Sequence, residues 1–187
     1  AAFRAATVEH ILQHPSLKAD PAGLSTRDGR HTGELLVEPK GPIAAFERLV
    51  VEAVVAYARS HPVDPASSFL AAQPSRWSLN IWAVVLGSAG YQAPHLHPAG
   101  WLSGVFYLAV PPEITAADNR QRGWIEFGRP PQLPDWAALP TLKTVAPEEG
   151  LMLLFPSYLH HRTIPSGQEA LRISLAFDVL PHDQSPR

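Results

Sequence analysis

The stretch LRISLAFDVL, residues 171–180, alternates between two kinds of side chain. One set is apolar and consists of Leu171, Ile173, Leu175, Phe177 and Val179. The other set is smaller and more polar, and consists of Arg172, Ser174, Ala176 and Asp178. Successive side chains of a β-strand point to opposite faces of the sheet. The pattern therefore predicts a strand with one face in an apolar core and the other lining a ligand cavity.

Upstream segments favour the same mainly β architecture. Strand-like runs, rich in β-branched and aromatic residues, occur at 77–86, 102–110, 123–127, 142–145, 151–155, 162–164 and 171–180. Turn sequences separate them, such as those at 87–90, 111–112 and 166–167. The 20 prolines, about twice the ordinary ~5% usage, also favour short elements. We predict an α+β, mainly β fold of the sandwich or jelly-roll type.

The remaining segments complete the predicted domain, which spans 1–187. Apolar residues at helical spacing predict a bracing helix at 43–61, between Pro42 and Pro62, and residues 3–13 could form another helix. Residues 1–42 would be an N-terminal helix and arm, with one short strand near 33–38, and 77–180 the β core. The proline-rich loop 111–141 is expected to shape substrate specificity.

Composition limits the possible partners and ligands. A net charge of −2 gives no electrostatic reason to expect binding to nucleic acid or to an anionic membrane. The absence of cysteine excludes disulfides and thiolate ligands, so a metal site would use histidine or carboxylate side chains.

Location is predicted from the absence of targeting signals. No stretch approaches the ~18 apolar residues of a membrane span, and the first 15 residues lack the pattern of a signal peptide. We therefore expect a cytoplasmic protein. The first residue is Ala1 and not methionine, which leaves room for an upstream domain.

Two pairs of histidines indicate a metal site. His95 and His97 lie one residue apart just before the strand 102–110, so both imidazoles can point to one ion. A third ligand is available from His160 or His161, and spacing does not choose between them. The alternative is a pair of surface histidines in a turn, which the second cluster makes the weaker interpretation. Imidazole ligands suit iron, zinc, manganese or nickel.

Arg172 on the polar face of the last strand needs an anionic partner, because a lone buried charge is costly. The partner could be internal, such as Asp178. It could instead be the carboxylate of a ligand, which a guanidinium group binds through two parallel hydrogen bonds, with Ser174 adding a hydroxyl. Tyr107 and Asn80 are weaker candidates for binding the same ligand.

Four blocks of this sequence resemble a known family. They are HLHPAGWLSGVFYLAVP (95–111), GWIEFG (123–128), PEEGLMLLFPSYLHH (147–161) and RISLAF (172–177). Together they resemble the bacterial family of 2-oxoglutarate/Fe(II)-dependent oxygenases that often lies downstream of tetratricopeptide repeats. The likeness covers roughly residues 15–180.

This resemblance implies a double-stranded β-helix fold, an Fe(II) site and 2-oxoglutarate as cosubstrate. By position in the motifs, His95, His97 and His161 match the metal ligands. Arg172 and Ser174 match the Arg-x-Ser pair that binds the distal carboxylate of 2-oxoglutarate. The implied activity is that of a dioxygenase, an oxidoreductase that hydroxylates an unidentified small molecule or peptide side chain and releases succinate and CO2.

The sequence departs from this pattern at two positions. His97 stands where the wider superfamily has aspartate or glutamate. Three neutral ligands would leave Fe(II) with two positive charges instead of one, which should strengthen binding of the 2-oxoglutarate dianion. Asp178 stands where the family often has asparagine, and it could pair with Arg172 or bring a carboxylate near the metal.

Two other functions are compatible with these residues. One is a cupin-like metalloprotein that does not use 2-oxoglutarate, although the glutamate that cupins place after His-x-His is absent. The other is a catalytically silent binding domain of the same fold. An Arg172→Ala variant separates the oxygenase from the cupin, and metal analysis tests for the silent domain.

Overall fold

The computed structural model describes residues 2–118, 120–132, 141–167 and 169–182. Its helices are α1 (Ala2–Leu12), α2 (Ile43–Ser60) and α3 (Ser68–Ala71). Its strands are β1 (Lys18–Ala19), β2 (Thr26–His31), β3 (Trp77–Gln92), β4 (Leu102–Ala109), β5 (Ile125–Phe127), β6 (Lys143–Val145), β7 (Met152–Pro156), β8 (His161–Thr163) and β9 (Arg172–Pro181). The described part of the chain contains no helix that could cross a lipid bilayer.

The strands form two antiparallel sheets. The larger has the order β1-β2-β3-β9-β4-β7, and the smaller has the order β6-β5-β8. Strand β9 lies inside the larger sheet, where β3 and β4 pair with its two edges. The predicted mainly β fold with bracing helices is therefore confirmed.

The alternation in β9 divides core from cavity as its sequence predicts. Ile173, Leu175, Phe177 and Val179 belong to the main core, which also contains the buried apolar residues of α2. Leu171, expected on the same face, precedes β9 and is exposed. Phe46 on that helix packs edge-on against Phe177, with 6.1 Å between ring centroids. The opposite face of β9, which carries Arg172, Ser174, Ala176 and Asp178, lines a cavity.

The prediction of a strand near 33–38 is wrong, because the strand of this region lies earlier in the chain. The arm pairs with β3 earlier, through β2 at Thr26–His31, although that stretch lacks an apolar run. In the following segment the Glu34 carboxylate accepts hydrogen bonds from the backbone N–H groups of Leu36 (2.7 Å) and Ile81 (3.2 Å). The Glu34 side chain thus accepts hydrogen bonds that a backbone carbonyl would accept in a regular strand, so residues 33–38 do not form one.

The turn expected at 87–90 is also wrong, because β3 continues through it to Gln92. Leu86 pairs with Gly29 and Tyr91 pairs with Arg27, so four residues of β3 face Asp28 alone. They form a bulge, in which a Cβ on Gly90 would lie 3.0 Å from the Asp28 carbonyl oxygen. The expected loop 111–141 includes β5, and its residues 119 and 133–140 lie outside the described residues.

Candidate metal centre

Three of the predicted histidines meet at one point. His95, His97 and His161 each offer a ring nitrogen, and these atoms all lie within 4.8 Å of one another. The backbones of His95 and His161 form an isolated β-bridge, with N···O distances of 3.0 and 2.9 Å. The backbone N–H of His97 donates to the Ser157 carbonyl at 2.9 Å. Main-chain hydrogen bonds therefore hold both ligand segments together.

The hydrogen bonds of the three rings leave the same atom of each ring free. Nδ1 of His95 lies 2.8 Å from the Ala93 carbonyl oxygen, and Nδ1 of His161 lies 3.0 Å from that of Leu159. Nδ1 of His97 lies 2.7 Å from Oδ1 of Asp178. These oxygens only accept, so each Nδ1 carries the hydrogen, and in a neutral ring Nε2 keeps its lone pair.

This arrangement fits a metal ion. Outer hydrogen bonds that orient each imidazole and fix its tautomer are the usual surroundings of histidine ligands. The Nε2 atom of His97 is buried and has no hydrogen-bond partner among the described residues. Burial lowers the pKa of His95 to about 4 and that of His161 to about 3, so both rings are neutral at pH 7. A bound cation would give all three free nitrogens a partner.

The structure chooses between the adjacent histidines 160 and 161. His161, at the start of β8, is buried and belongs to the cluster. The His160 side chain is not part of it, and its backbone carbonyl accepts a hydrogen bond from Gly128 N at 2.8 Å. Because neighbours in an extended chain point to opposite sides, one of the two must face away.

Arg172 lies at the other end of the cavity with an incomplete set of hydrogen bonds. The residue is 4% exposed, and its Nε has no hydrogen-bond partner among the described residues. Its guanidinium carbon lies 4.9 Å from the centroid of the Tyr107 ring, and the Tyr107 hydroxyl is also buried without a partner. Burial lowers the pKa of Arg172 and raises that of Tyr107.

These unpaired groups fit an anionic ligand. A buried donor without an acceptor costs about 1–3 kcal/mol, and a carboxylate would satisfy both. Ser174, two residues further along the same face of β9, is buried and lines the cavity. Asn80 also lines the cavity. In the register of β3 and β9 it lies opposite Asp178, whereas Leu86 lies opposite Arg172. Asn80 is therefore at the metal end.

The suggested pairing of Asp178 with Arg172 is wrong. The two residues lie six positions apart on β9, roughly 20 Å along the strand. Asp178 instead accepts hydrogen bonds at Oδ1 from His97 and from the Ser103 hydroxyl, the latter at 2.6 Å. The Ser103 hydroxyl lies 2.9 Å from that of Ser157. Neither serine stands out in the sequence, because the pairing of Ser103 with Asp178 depends on strand register.

The cavity between these two ends has a volume of about 510 Å³, within the range of small-molecule sites. Trp82 is half-buried and forms a wall of the cavity. It stacks between His31 and His97, with centroid distances of 6.0 and 5.6 Å. His31 and Glu34 also line the cavity. Burial lowers the pKa of His31.

Three imidazole nitrogens and a buried guanidinium line one cavity between the two antiparallel sheets, an arrangement that suits a non-haem metal enzyme with an anionic cosubstrate. Residues 80–178 match the sequence profile of the family described as "Putative 2OG-Fe(II) oxygenase". The chain belongs to this family. It is therefore an oxidoreductase of the kind that uses Fe(II) as cofactor and 2-oxoglutarate as cosubstrate.

Solved structures of a prolyl hydroxylase and of a protein that binds 2-oxoglutarate share the fold. A Pseudomonas putida prolyl-4-hydroxylase is 14% identical, with a TM-score of 0.63 over 96% of this chain and 86% of that one. HygX from Streptomyces hygroscopicus, solved with nickel, 2-oxoglutarate and hygromycin B, is 18% identical, with a TM-score of 0.59 over 98% and 80%. The predicted double-stranded β-helix, or jelly roll, is confirmed. No curated protein sequence matches this chain significantly.

Proposed function

We propose that this chain is a 2-oxoglutarate-dependent dioxygenase whose Fe(II) is held by Nε2 of His95, His97 and His161. The single observation that carries the proposal is that all three Nδ1 atoms already lie beside acceptors, which leaves Nε2 of each ring free in a cluster whose ring nitrogens lie within 4.8 Å of one another. A histidine cluster without a metal has no need for such uniform orientation.

The other end of the cavity is proposed to bind 2-oxoglutarate. Arg172 and the Tyr107 hydroxyl supply unpaired donors for its distal carboxylate, and Ser174 adds a hydroxyl. Asn80 is proposed to contact the cosubstrate nearer the metal. When bound, iron and 2-oxoglutarate supply the oxidising power, with one atom of O2 entering the substrate and the other entering succinate as CO2 is released.

The protein's own contribution is positioning and the exclusion of water. Val105, Ile125 and Phe155 line the cavity and belong to its apolar wall. Arg172 is held rigidly because its guanidinium group lies over the Tyr107 ring and its strand is central in the sheet. A fixed cationic anchor orients a bound dicarboxylate before the reaction begins.

The primary substrate is proposed to be a small molecule or a peptide side chain that contacts the wall formed by His31, Glu34 and Trp82. In support, the cavity volume suits a group of that size. The net charge of −2 favours neither nucleic acid nor an anionic membrane as a partner. A cytoplasmic location stays a prediction of the sequence.

Anaerobic spectroscopy tests the proposal. Adding 2-oxoglutarate to the protein loaded with Fe(II) should produce a visible charge-transfer band, because the cosubstrate would bind the metal through its keto acid. Admitting air should then yield succinate. If neither the band nor succinate appears, although iron binds, the chain is a metalloprotein of another kind. If iron does not bind at all, it is a catalytically silent domain.

A further inference from the structure

A buried hydrogen-bonded chain connects β4 and β9 to one of the proposed ligands. It runs from Ser157 through Ser103 and Asp178 to Nδ1 of His97, with O···O distances of 2.9 and 2.6 Å and a final N···O distance of 2.7 Å. Both serines are buried, and Asp178 is 9% exposed. Because both donors converge on one carboxylate oxygen, the position of Asp178 is well defined.

The three imidazoles differ in what accepts their Nδ1 hydrogen. For His95 and His161 the acceptor is a neutral backbone carbonyl, whereas for His97 it is a carboxylate. A carboxylate that accepts the Nδ1 hydrogen increases the basicity of the ring and its donation to a metal through Nε2. His97 is therefore the strongest donor of the three.

The hydrogen bond between Asp178 and His97 also places a negative charge close to the proposed metal site. Three imidazoles bring no negative charge to the metal. Asp178 lies one hydrogen bond beyond His97, the ligand that occupies the position where the wider superfamily has a carboxylate. Trp82 stacks on the His97 ring at 5.6 Å, so the plane of the ring is fixed as well as its tautomer.

We propose that Asp178 is a positioning residue that acts on the metal through His97. It holds Nε2 towards the ion and supplies, one hydrogen bond away, the negative charge that the three ligands lack. This inference rests on the proposed function, because it requires His97 to be a ligand. It assigns a role to a residue that the reaction scheme above does not use.

An Asp178→Asn variant separates charge from geometry. The amide oxygen can still accept from His97 and Ser103, but the negative charge is gone. Binding of Co(II), used as the probe and followed by its visible absorption, should weaken about 10- to 100-fold. The charge-transfer band of the anaerobic complex with Fe(II) and 2-oxoglutarate should move to shorter wavelength, because a weaker donor lowers the energy of the metal electrons.

Ser103→Ala is the matched control. It removes the other donor to Asp178 but leaves the carboxylate on His97. Co(II) affinity should therefore change less than in Asp178→Asn. A rescue experiment adds His97→Asp to Asp178→Asn, which moves a carboxylate from the outer position onto the metal. The double variant should bind Co(II) more tightly than Asp178→Asn alone.

The outcomes distinguish this inference from the proposed function. If Asp178→Asn is folded by circular dichroism and binds Co(II) as tightly as the wild type, with an unmoved band, the inference is overturned. If Asp178→Asn does not fold, Asp178→Glu decides, since it keeps the charge but displaces the carboxylate from Nδ1 of His97: weaker Co(II) binding by the folded protein supports the inference, and wild-type affinity contradicts it. If the wild type itself binds no Co(II), the proposed function fails.

Discussion

The two ends of the cavity differ in how completely the protein satisfies its own polar groups. At the metal end, every outer ring nitrogen has an acceptor, and two of the three acceptors are backbone carbonyls. At the other end, Arg172 Nε and the Tyr107 hydroxyl are buried without partners. The first end is built in advance, while the second needs a ligand to complete it. Substitutions should therefore affect metal binding at one end and cosubstrate binding at the other.

The largest effect is expected for His161→Ala, with His160→Ala as its neighbouring control. Loss of a ligand should weaken Fe(II) or Co(II) binding by about 100-fold or more, because outer partners alone are worth roughly 10- to 100-fold. His160→Ala should bind within about 2-fold of the wild type, as its side chain is outside the cluster. Equal losses in the two variants, measured by metal titration, would contradict the assignment of His161.

A smaller and more selective effect is expected for Arg172→Ala. Removing a buried charge that pairs with a ligand typically costs 2–5 kcal/mol, so the affinity for 2-oxoglutarate should fall by about 30-fold or more. Co(II) affinity should stay near that of the wild type, because Arg172 is outside the histidine cluster and lies six positions along β9 from Asp178, the residue that contacts His97. Calorimetric titration of 2-oxoglutarate into metal-loaded protein measures the first effect. Unchanged affinity would favour a cupin-like metalloprotein.

The smallest effect is expected for Tyr107→Phe. Here the sign of the change in stability of the ligand-free protein is the informative result. Its hydroxyl is buried without a partner, so removing it should stabilise the ligand-free protein by about 1 kcal/mol in denaturant unfolding. The same change should weaken 2-oxoglutarate binding about 5-fold, through loss of one hydrogen bond. Destabilisation of the ligand-free protein would instead show that the hydroxyl is already satisfied.

Local sequence patterns predicted the main residues at both ends of the cavity. The alternation in 171–180 placed Arg172 and Ser174 on the cavity side, since strand periodicity is a property of a few consecutive residues. The His-x-His motif carried the metal prediction for the same reason. Each of these two patterns can be recognised from a few consecutive residues, without knowledge of the rest of the fold.

What the sequence did not predict depends on pairing between distant segments. Spacing alone left His160 and His161 equivalent, and the family resemblance that pointed to His161 did not supply the reason, which is its backbone bridge to His95. The partner of Asp178 follows from the register that places Ser103 opposite it. The strand at Thr26–His31 is stabilised by pairing with β3 and not by apolar residues of its own. The bulge at 87–90 likewise appears only when both strands are considered.

The bridge between His95 and His161 has a mechanical consequence. His161 begins β8 in the smaller sheet, while His95 and His97 belong to the connection that leaves β3 in the larger one. An ion bound by all three rings would thus cross-link the two sheets at the point where the backbone bridge already joins them. Metal binding is therefore expected to stabilise the contact between the two sheets, because an ion that binds only the folded protein adds to its free energy of unfolding.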